Sequence, residues 1–167
     1  MSVRAQALAE RIQEGAATLA AYARELTHEQ WQKAVQPDGR TVGVTVHHVA
    51  SVYPIEIELA TQIAMGNPIT GVTWTVVAQM NAQHAKEQAG VSKAMTLELL
   101  QRNSEVAAFA VRKFTDVQLD RAVAVSLYGD APVTAQFMIE DHAVRHSWHH
   151  LTKIKAALSL EVATGKA

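Results

Sequence analysis

Apolar residues recur at three- and four-residue steps along most of this chain, and that spacing predicts helices. The first run covers residues 5–26 and predicts an amphipathic helix. A longer and more apolar run covers residues 41–65 and stops at Gly66-Asn67-Pro68, which is a typical end signal. Pro54 lies inside this second run, so we expect it to remove one backbone hydrogen bond and to kink the helix.

The second half of the chain continues the helical pattern. A weakly periodic helix is predicted over residues 74–88, a clear one over 97–114 and a last one over 134–158, followed by a loose tail. Residues 120–133 form a connection in which residues 123–127 have the composition of a short extended piece. Four long helices without alternating strands predict an all-α four-helix bundle. No shift in composition marks a second domain, so we expect a single domain over residues 1–167.

Two short segments resemble helix starts. Thr27 is followed by Gln30 in the spacing of a capping box, and residues 115–119 resemble residues 27–31. Residues 37–39, Pro-Asp-Gly, and residues 67–73 are predicted to be loops.

Charge and composition narrow the function classes. The chain is 49% hydrophobic and 19% charged, with a formal net charge of −1 and no long run of one sign. This argues against a nucleic-acid surface or an anionic-membrane surface. Charged and histidine residues interrupt the longest apolar stretches, so no membrane span is expected. The first residues lack a signal-peptide core, and we expect a cytoplasmic protein.

Cysteine is absent from the sequence. Disulfides, thiolate ligands and a cysteine nucleophile are therefore excluded together. A bound metal would need His, Asp or Glu ligands, and any thiol in the chemistry would have to arrive with a substrate or cofactor.

The histidines are unevenly distributed, because four of the eight lie within residues 142–150. On a helix, residues four apart share a face about 6 Å apart along the axis. A helical wheel places His150 beside Ile139 and Ala143 in the apolar sector, with His146 at its edge. The same wheel places His142 and His149 with the charged residues, facing solvent or the rim.

A third histidine is predicted to face inward from the second long helix. His48 shares a stripe with five apolar residues, which are Val44, Val52, Ile55, Leu59 and Ile63. His47 points toward Ser51 and Glu58 instead. If the two helices meet in the bundle, His48, His146 and His150 would surround one point.

Three inward imidazoles favour a metal site over an ordinary packing role. Two histidines four residues apart on a helix usually lie on a solvent-exposed face. The third inward histidine is the observation that favours a set of metal ligands. Burying three imidazoles is costly unless each finds a partner, and one metal satisfies all three. Each ligand's other ring nitrogen needs an acceptor. Asp141, Glu56 and Glu58 are nearby in sequence, but the wheel aims none of them clearly at the site.

Other kinds of site are poorly supported. The chain has a single Glu-x-x-His, ending at His28, whereas a di-iron bundle needs two. No Gly-rich phosphate loop and no serine in a nucleophile elbow are present. Candidates to line a pocket near the histidines are Tyr53, Asn81, His84 and Tyr128, and no general base is assigned.

Three passages of the sequence are similar to the DinB/YfiT-like superfamily of metal-binding four-helix bundles. They are residues 38–50 around His47 and His48, residues 115–120, and residues 146–154, which begin with His-Ser-Trp-His-His. Their order and spacing match the family across nearly the whole chain. One departure is Arg40, where the family commonly has an aromatic residue, and we expect it to alter the mouth of the pocket.

The resemblance implies an up-down-down-up bundle in which three histidines, here His48, His146 and His150, bind a divalent ion. Zinc and nickel are the ions it implies most often, together with homodimers and a small-molecule substrate. Characterised relatives include transferases and isomerases that use a low-molecular-weight thiol, and others described as putative hydrolases.

We therefore expect a metal-dependent enzyme that activates a thiol or a water for transfer to, or hydrolysis of, a small molecule. The alternative is a non-catalytic dimeric bundle that binds a metal or a small molecule. The two differ in coordination, because a structural metal site is closed by a fourth protein ligand whereas a catalytic one stays open.

Overall fold

Four long helices form the body of the molecule in a computed structural model that describes residues 2–164. They are α1 (Val3–Glu25), α3 (Val42–Met65), α5 (Lys93–Val111) and α8 (Arg145–Thr164). Helices α1 and α3 each pack against α5 and against α8. The apolar residues of all four helices meet in one buried core. This is the predicted all-α, up-down-down-up four-helix bundle.

Local sequence signals fix the ends of α3, the helix that carries His48. The side chain of Thr41 accepts a hydrogen bond from the backbone N–H of Val44, which satisfies one free donor of the first turn. At the other end Gly66 adopts φ 90°, a left-handed conformation that glycine allows without strain. The helix continues through Pro54, which is exposed.

Short elements connect the long helices. Helices α2 (His28–Trp31) and α6 (Asp116–Asp120) both begin with the predicted capping box, at Thr27 and at Thr115. Strands β1 (Ala34–Val35) and β2 (Arg40–Thr41) pair around the predicted Pro-Asp-Gly loop.

A second hairpin lies in the connection before the last helix. Strand β3 (Ala122–Val125) pairs with β4 (Ala131–Thr134) in antiparallel register. The extended piece predicted at residues 123–127 therefore starts and ends earlier, because Ser126–Tyr128 form a 3₁₀ turn. The partner strand was not predicted, since a four-residue strand containing Pro132 has too little alternation to be recognised.

Helix α4 (Trp74–Glu87) is attached to the bundle rather than built into it. None of its residues is buried, and it contacts α3. Its weak hydrophobic periodicity in the sequence reflects this position, because a helix without a buried face needs no apolar stripe.

The predicted last helix is divided into three parts. Helix α7 (Ala135–Met138) leads into a π-helical segment, Ile139–Val144, which leads into α8. A π segment turns more slowly than an α-helix and is common at functional sites. Helix α8 also continues to Thr164, beyond the predicted end at Leu158, because residues 156–161 are rich in strong helix formers. The remainder of the predicted tail, residues 165–167, lies outside the described residues.

No helix in the described part of the chain is long and apolar enough to cross a membrane.

Candidate metal centre

The three histidines predicted to face inward come together between α3 and α8. One ring nitrogen from each of His48, His146 and His150 lies within 4.8 Å of the others. The ring centres are 4.9 Å apart for His48 and His146, 5.4 Å for His48 and His150, and 4.7 Å for His146 and His150. His48 and His150 are buried and His146 is half-buried. This group could hold a metal ion.

Glu56 supports the group from α3. Its side chain is 6% exposed, and Oε1 lies 2.5 Å from Nδ1 of His146. A carboxylate in this place fixes the orientation of the ring and leaves Nε2 free to bind a metal. The helical wheel did not direct Glu56 clearly toward the site. The structure corrects this prediction, because the Glu56 carboxylate contacts His146.

The contact between Glu56 and His146 was not predicted for a geometrical reason. Glu56 is two turns after His48 on α3 and about 80° around that helix, so a wheel of α3 alone separates them. Only the position of α8 brings His146 to Glu56. The available signal was that Glu56 is one of two glutamates on a strongly apolar helix, two turns after an inward histidine. Glu58 and Asp141 are elsewhere, as the wheel indicated: Glu58 accepts from Gln62, and Asp141 accepts from Tyr128.

The environment keeps the imidazoles of His48 and His150 neutral. Burial, followed by the charge of nearby His146, lowers the pKa of His48 to about 2. Burial and then His146 also lower the pKa of His150 far below its ordinary value. Neutral imidazole is the form that binds a metal. The two rings are therefore ready to act as ligands near neutral pH without first losing a proton.

An unmatched polar atom indicates that the group is incomplete without a further partner. Nδ1 of His150 is buried and has no hydrogen-bond partner among the described residues. Buried polar atoms are almost always satisfied in folded proteins. A metal ion at the centre of the three rings, with the changes in ring orientation that it brings, would remove such a cost.

A second pair of histidines covers one side of the group. Nδ1 of His47 lies 2.9 Å from Nε2 of His84, which also approaches the hydroxyl of Ser51. The ring of His84 packs 5.6 Å from that of His48. His84, one of the residues predicted to line a pocket near the histidines, thus reaches the site from α4. His47, which was predicted to point toward Ser51 and Glu58, contacts His84. Burial lowers the pKa of both His47 and His84.

The other candidate residues divide between core and periphery. Tyr53 is fully buried and bonds to Ser147 at 2.8 Å, so it belongs to the core rather than to a pocket wall. Tyr128 bonds to Asp141 and to His142. His142, predicted to face solvent or the rim, is half-buried and contacts Tyr128 from within the π segment.

The remaining outward prediction is correct for His149, which is exposed. Asn81 is half-buried on α4. Ile55, assigned to the inward stripe of α3, is 45% exposed, so its predicted inward position is wrong.

Arg40 is largely buried and forms an ion pair with Asp38. Two of its guanidinium nitrogens contact Asp38, at 2.8 Å from Nε and 2.7 Å from the second terminal nitrogen. The remaining nitrogen, Nη1, is buried and without a hydrogen-bond partner among the described residues. The positive charge of Arg40 contributes to the lowered pKa of His48 and of His150.

A cavity of about 350 Å³ opens next to the second pair of histidines. His47 lines it together with residues from the end of α4 and the start of α5, among them Val91 and Thr96. This volume is at the small end of known ligand pockets. The cavity thus borders His47, the chain neighbour of His48, while none of the three grouped histidines is part of its lining.

Comparison with known families agrees with this arrangement. A model of the DinB superfamily matches residues 11–154, a span that includes the three histidines and Glu56. The chain belongs to the DinB superfamily. The search of curated protein sequences finds no match for this DinB superfamily chain.

Among solved structures, this DinB superfamily chain is similar to YfiT from Bacillus subtilis. The two share 18% sequence identity, and the alignment covers 100% of this chain and 91% of that one with a TM-score of 0.72. YfiT is described as a probable metal-dependent hydrolase with an unusual four-helix bundle topology. At this identity the likeness establishes the shared fold.

Proposed function

We propose that this chain is a metal-dependent enzyme in which His48, His146 and His150 hold one divalent ion. The observation that carries the proposal is the convergence of three imidazoles, two of them fully buried, at one point between α3 and α8. Imidazole suits zinc and nickel, and neither ion needs a carboxylate in such a set. Glu56 holds the ring of His146 as the partners of metal-bound histidines usually do.

The number of ligands favours an open site. Among the described residues no fourth His, Asp or Glu joins the group within the same 4.8 Å. Structural zinc sites are closed by four protein ligands, whereas catalytic sites keep a position for water or substrate. The arrangement therefore supports a catalytic ion over the alternative of a purely structural one.

The ion would supply Lewis acidity and would lower the pKa of a water or a thiol that binds at the open position. The chain's own residues would do the rest. Glu56 fixes one ligand ring, and the His47–His84 pair stands beside the site where it can hold a hydrogen bond to the reacting molecule.

Two observations support a reaction class: the sequence has no cysteine, and the similar structure YfiT is described as a probable metal-dependent hydrolase. Because the sequence contains no cysteine, a thiol nucleophile must be a separate small molecule. The description of YfiT as a probable metal-dependent hydrolase supports water as the alternative nucleophile. We therefore propose hydrolysis of, or thiol transfer to, a small molecule.

Metal titration joined to an activity screen tests the proposal. Metal-stripped protein is titrated with Zn²⁺ and with Ni²⁺ by calorimetry, and the loaded protein is screened with small esters and amides and with thiol acceptors. We expect one ion per chain, and loss of both metal and activity in His150→Ala while circular dichroism stays helical. His149→Ala, an exposed neighbour, is the control and keeps both. No uptake of either ion would refute the proposal, and metal-dependent folding without any activity would favour a structural ion.

A further inference from the structure

Pro54 leaves one backbone carbonyl of α3 without its helical donor. In an α-helix each carbonyl accepts a hydrogen bond from the N–H four residues later, and proline has no N–H. Pro54 lies inside α3, so the carbonyl that loses its donor is that of Ala50. Ala50 is fully buried, and a buried carbonyl without a partner is costly because water cannot replace the lost hydrogen bond.

The side chain of Asn103 supplies the missing donor from a neighbouring helix. Its Nδ2 donates to the carbonyl oxygen of Ala50, at a distance of 2.8 Å. Asn103 lies on α5 and is half-buried, and α5 packs directly against α3. A hydrogen bond within α3 is therefore replaced by one that connects α3 to α5.

The turn that Pro54 interrupts separates two residues on which the proposed metal site depends. His48 comes two residues before Ala50 and supplies one of the three imidazoles. Glu56 comes two residues after Pro54 and holds the ring of His146. The direction of each half of α3 thus decides whether both residues reach the same ion. A proline turn is where a helix bends most easily, whereas distances from ligand to metal must be met within about 0.2 Å.

We propose that Asn103 is a positioning residue for the metal site. Its hydrogen bond fixes the two halves of α3 relative to each other, and so keeps His48 and Glu56 around one ion. The inference rests on the proposed function for the presence of that ion. It adds a residue of α5, a helix that supplies none of the three grouped histidines, to the residues on which metal binding depends.

Removal of the Asn103 amide tests the inference. Asn103→Leu removes the donor and keeps a branched side chain of the same length. It should lower zinc affinity about three- to tenfold in a competition titration, because the ion must then restore a geometry that one hydrogen bond otherwise holds. The visible spectrum of the Co²⁺-loaded variant, which reports the arrangement of the ligands, should differ from that of the wild type.

Pro54→Ala provides a background in which the amide is no longer needed, because alanine restores the N–H that can donate to Ala50. Pro54 is exposed, so its substitution removes little packing. We expect Pro54→Ala to bind zinc within about twofold of the wild type. Adding Asn103→Leu to Pro54→Ala should then change zinc affinity by less than about twofold and should leave the cobalt spectrum like that of the wild type.

Gln101→Leu is the matched control on the same helix. It also removes a side-chain amide, but Gln101 is exposed and donates to Glu105 of its own helix. We expect zinc affinity within about twofold of the wild type and an unchanged cobalt spectrum.

Urea denaturation of the metal-free variants separates a purely structural role from the proposed one. Asn103→Leu should destabilise the wild type more than it destabilises Pro54→Ala, and equal destabilisation would overturn the inference. A loss of stability with unchanged zinc affinity and an unchanged cobalt spectrum would also overturn it, since Asn103 would then support the fold alone. If Asn103→Leu fails to fold, the double variant must fold and bind zinc, and its failure to do so would overturn the inference as well.

Zinc uptake by the wild type distinguishes this inference from the proposed function. Uptake by the wild type together with equal uptake by Asn103→Leu would refute the positioning role and leave the proposed function standing. A wild-type protein that takes up neither zinc nor cobalt would refute both.

Discussion

Glu56 connects two helices through a single short contact with His146. The carboxylate is almost fully buried, and its second oxygen, Oε2, has no hydrogen-bond partner among the described residues. A buried carboxylate that makes one strong bond to an imidazole is costly to keep for stability alone. The presence of this buried carboxylate is explained if the imidazole of His146 binds a metal. The carboxylate then fixes the orientation of the ring and makes it a stronger ligand.

Substitution of Glu56 should weaken metal binding while leaving the ligands in place. We expect Glu56→Gln to lower zinc affinity about 10- to 100-fold, the usual effect of losing such a partner. A competition titration against a chromophoric chelator measures it. Glu58→Gln, on the same helix but exposed and bonded to Gln62, is the control and should bind zinc like the wild type. Equal affinities in the two variants would contradict the role given to Glu56.

The buried histidines should make the metal-free protein sensitive to acid. The pKa of His48 is about 2 in the folded state and near 6.5 when unfolded, so the unfolded chain takes up the proton first as the pH falls. The unfolded state then binds more protons, and the free energy of unfolding decreases below pH 6.5. By pH 5.5 the loss from His48 should be about 1.4 kcal/mol.

Urea denaturation of metal-stripped protein at pH 7.5 and pH 5.5 measures this loss. Other histidines with lowered pKa values add to the wild-type change, so the informative quantity is the difference between wild type and His48→Gln. We expect the variant to lose about 1.4 kcal/mol less than the wild type between the two pH values. An identical loss would mean that His48 is protonated in the folded protein.

At the scale of the element, α3 is the helix on which the site depends. It supplies His48 and Glu56, and its first turn is held against α2 by the packing of Trp31 on Gly43. A Cβ atom at Gly43 would lie 2.5 Å from Nε1 of Trp31. The indole is 3% exposed and donates to the carbonyl of Val91, so it has little room to move.

Gly43→Ala should therefore destabilise the protein. Overpacking of this kind costs about 1–3 kcal/mol, and the better helix propensity of alanine offsets less than about 1 kcal/mol of it. Chemical denaturation measures the change. Gly90→Ala is the matched control, because a Cβ there meets open space, and it should change stability by less than about 0.5 kcal/mol. Similar stabilities for the two variants would show that Trp31 yields to the new methyl group.

The elements also show which features a sequence can reveal. The limits of α3 were predictable because Thr41 and Gly66 act through local chemistry. The inward direction of His48 and His150 was predictable because each lies on an apolar face. The hairpins, the π segment and the contact of Glu56 with His146 were not, since they depend on neighbouring elements whose positions no local pattern encodes. The contact of His142 with Tyr128 was not predictable for the same reason, because Tyr128 comes from the preceding connection.

At the scale of the whole molecule, the site is made by residues about a hundred positions apart. One ligand comes from α3, and two come from α8, and the bundle places them in contact. The predicted single domain and cytoplasmic location stay predictions.

The predicted homodimer can be tested directly. Helix α4 has no buried residue, and its Trp74 and Met80 are 62% and 50% exposed, which is unfavourable for apolar side chains on one short helix. We expect sedimentation equilibrium to give twice the chain mass of 18.1 kDa. Trp74→Glu should shift the equilibrium toward the monomer, whereas Met95→Glu, also exposed but on α5, serves as a control. A monomer mass for the wild type at all concentrations would exclude the dimer.

The three histidines are proposed to bind one ion and to leave one of its coordination positions free for water or substrate. X-ray absorption spectroscopy of zinc-loaded protein measures the ligands directly. We predict three imidazole nitrogens at about 2.0–2.1 Å and one further oxygen donor from solvent, with the imidazole signal reduced in His146→Ala. Four protein ligands, or a zinc spectrum that His146→Ala leaves unchanged, would contradict the account.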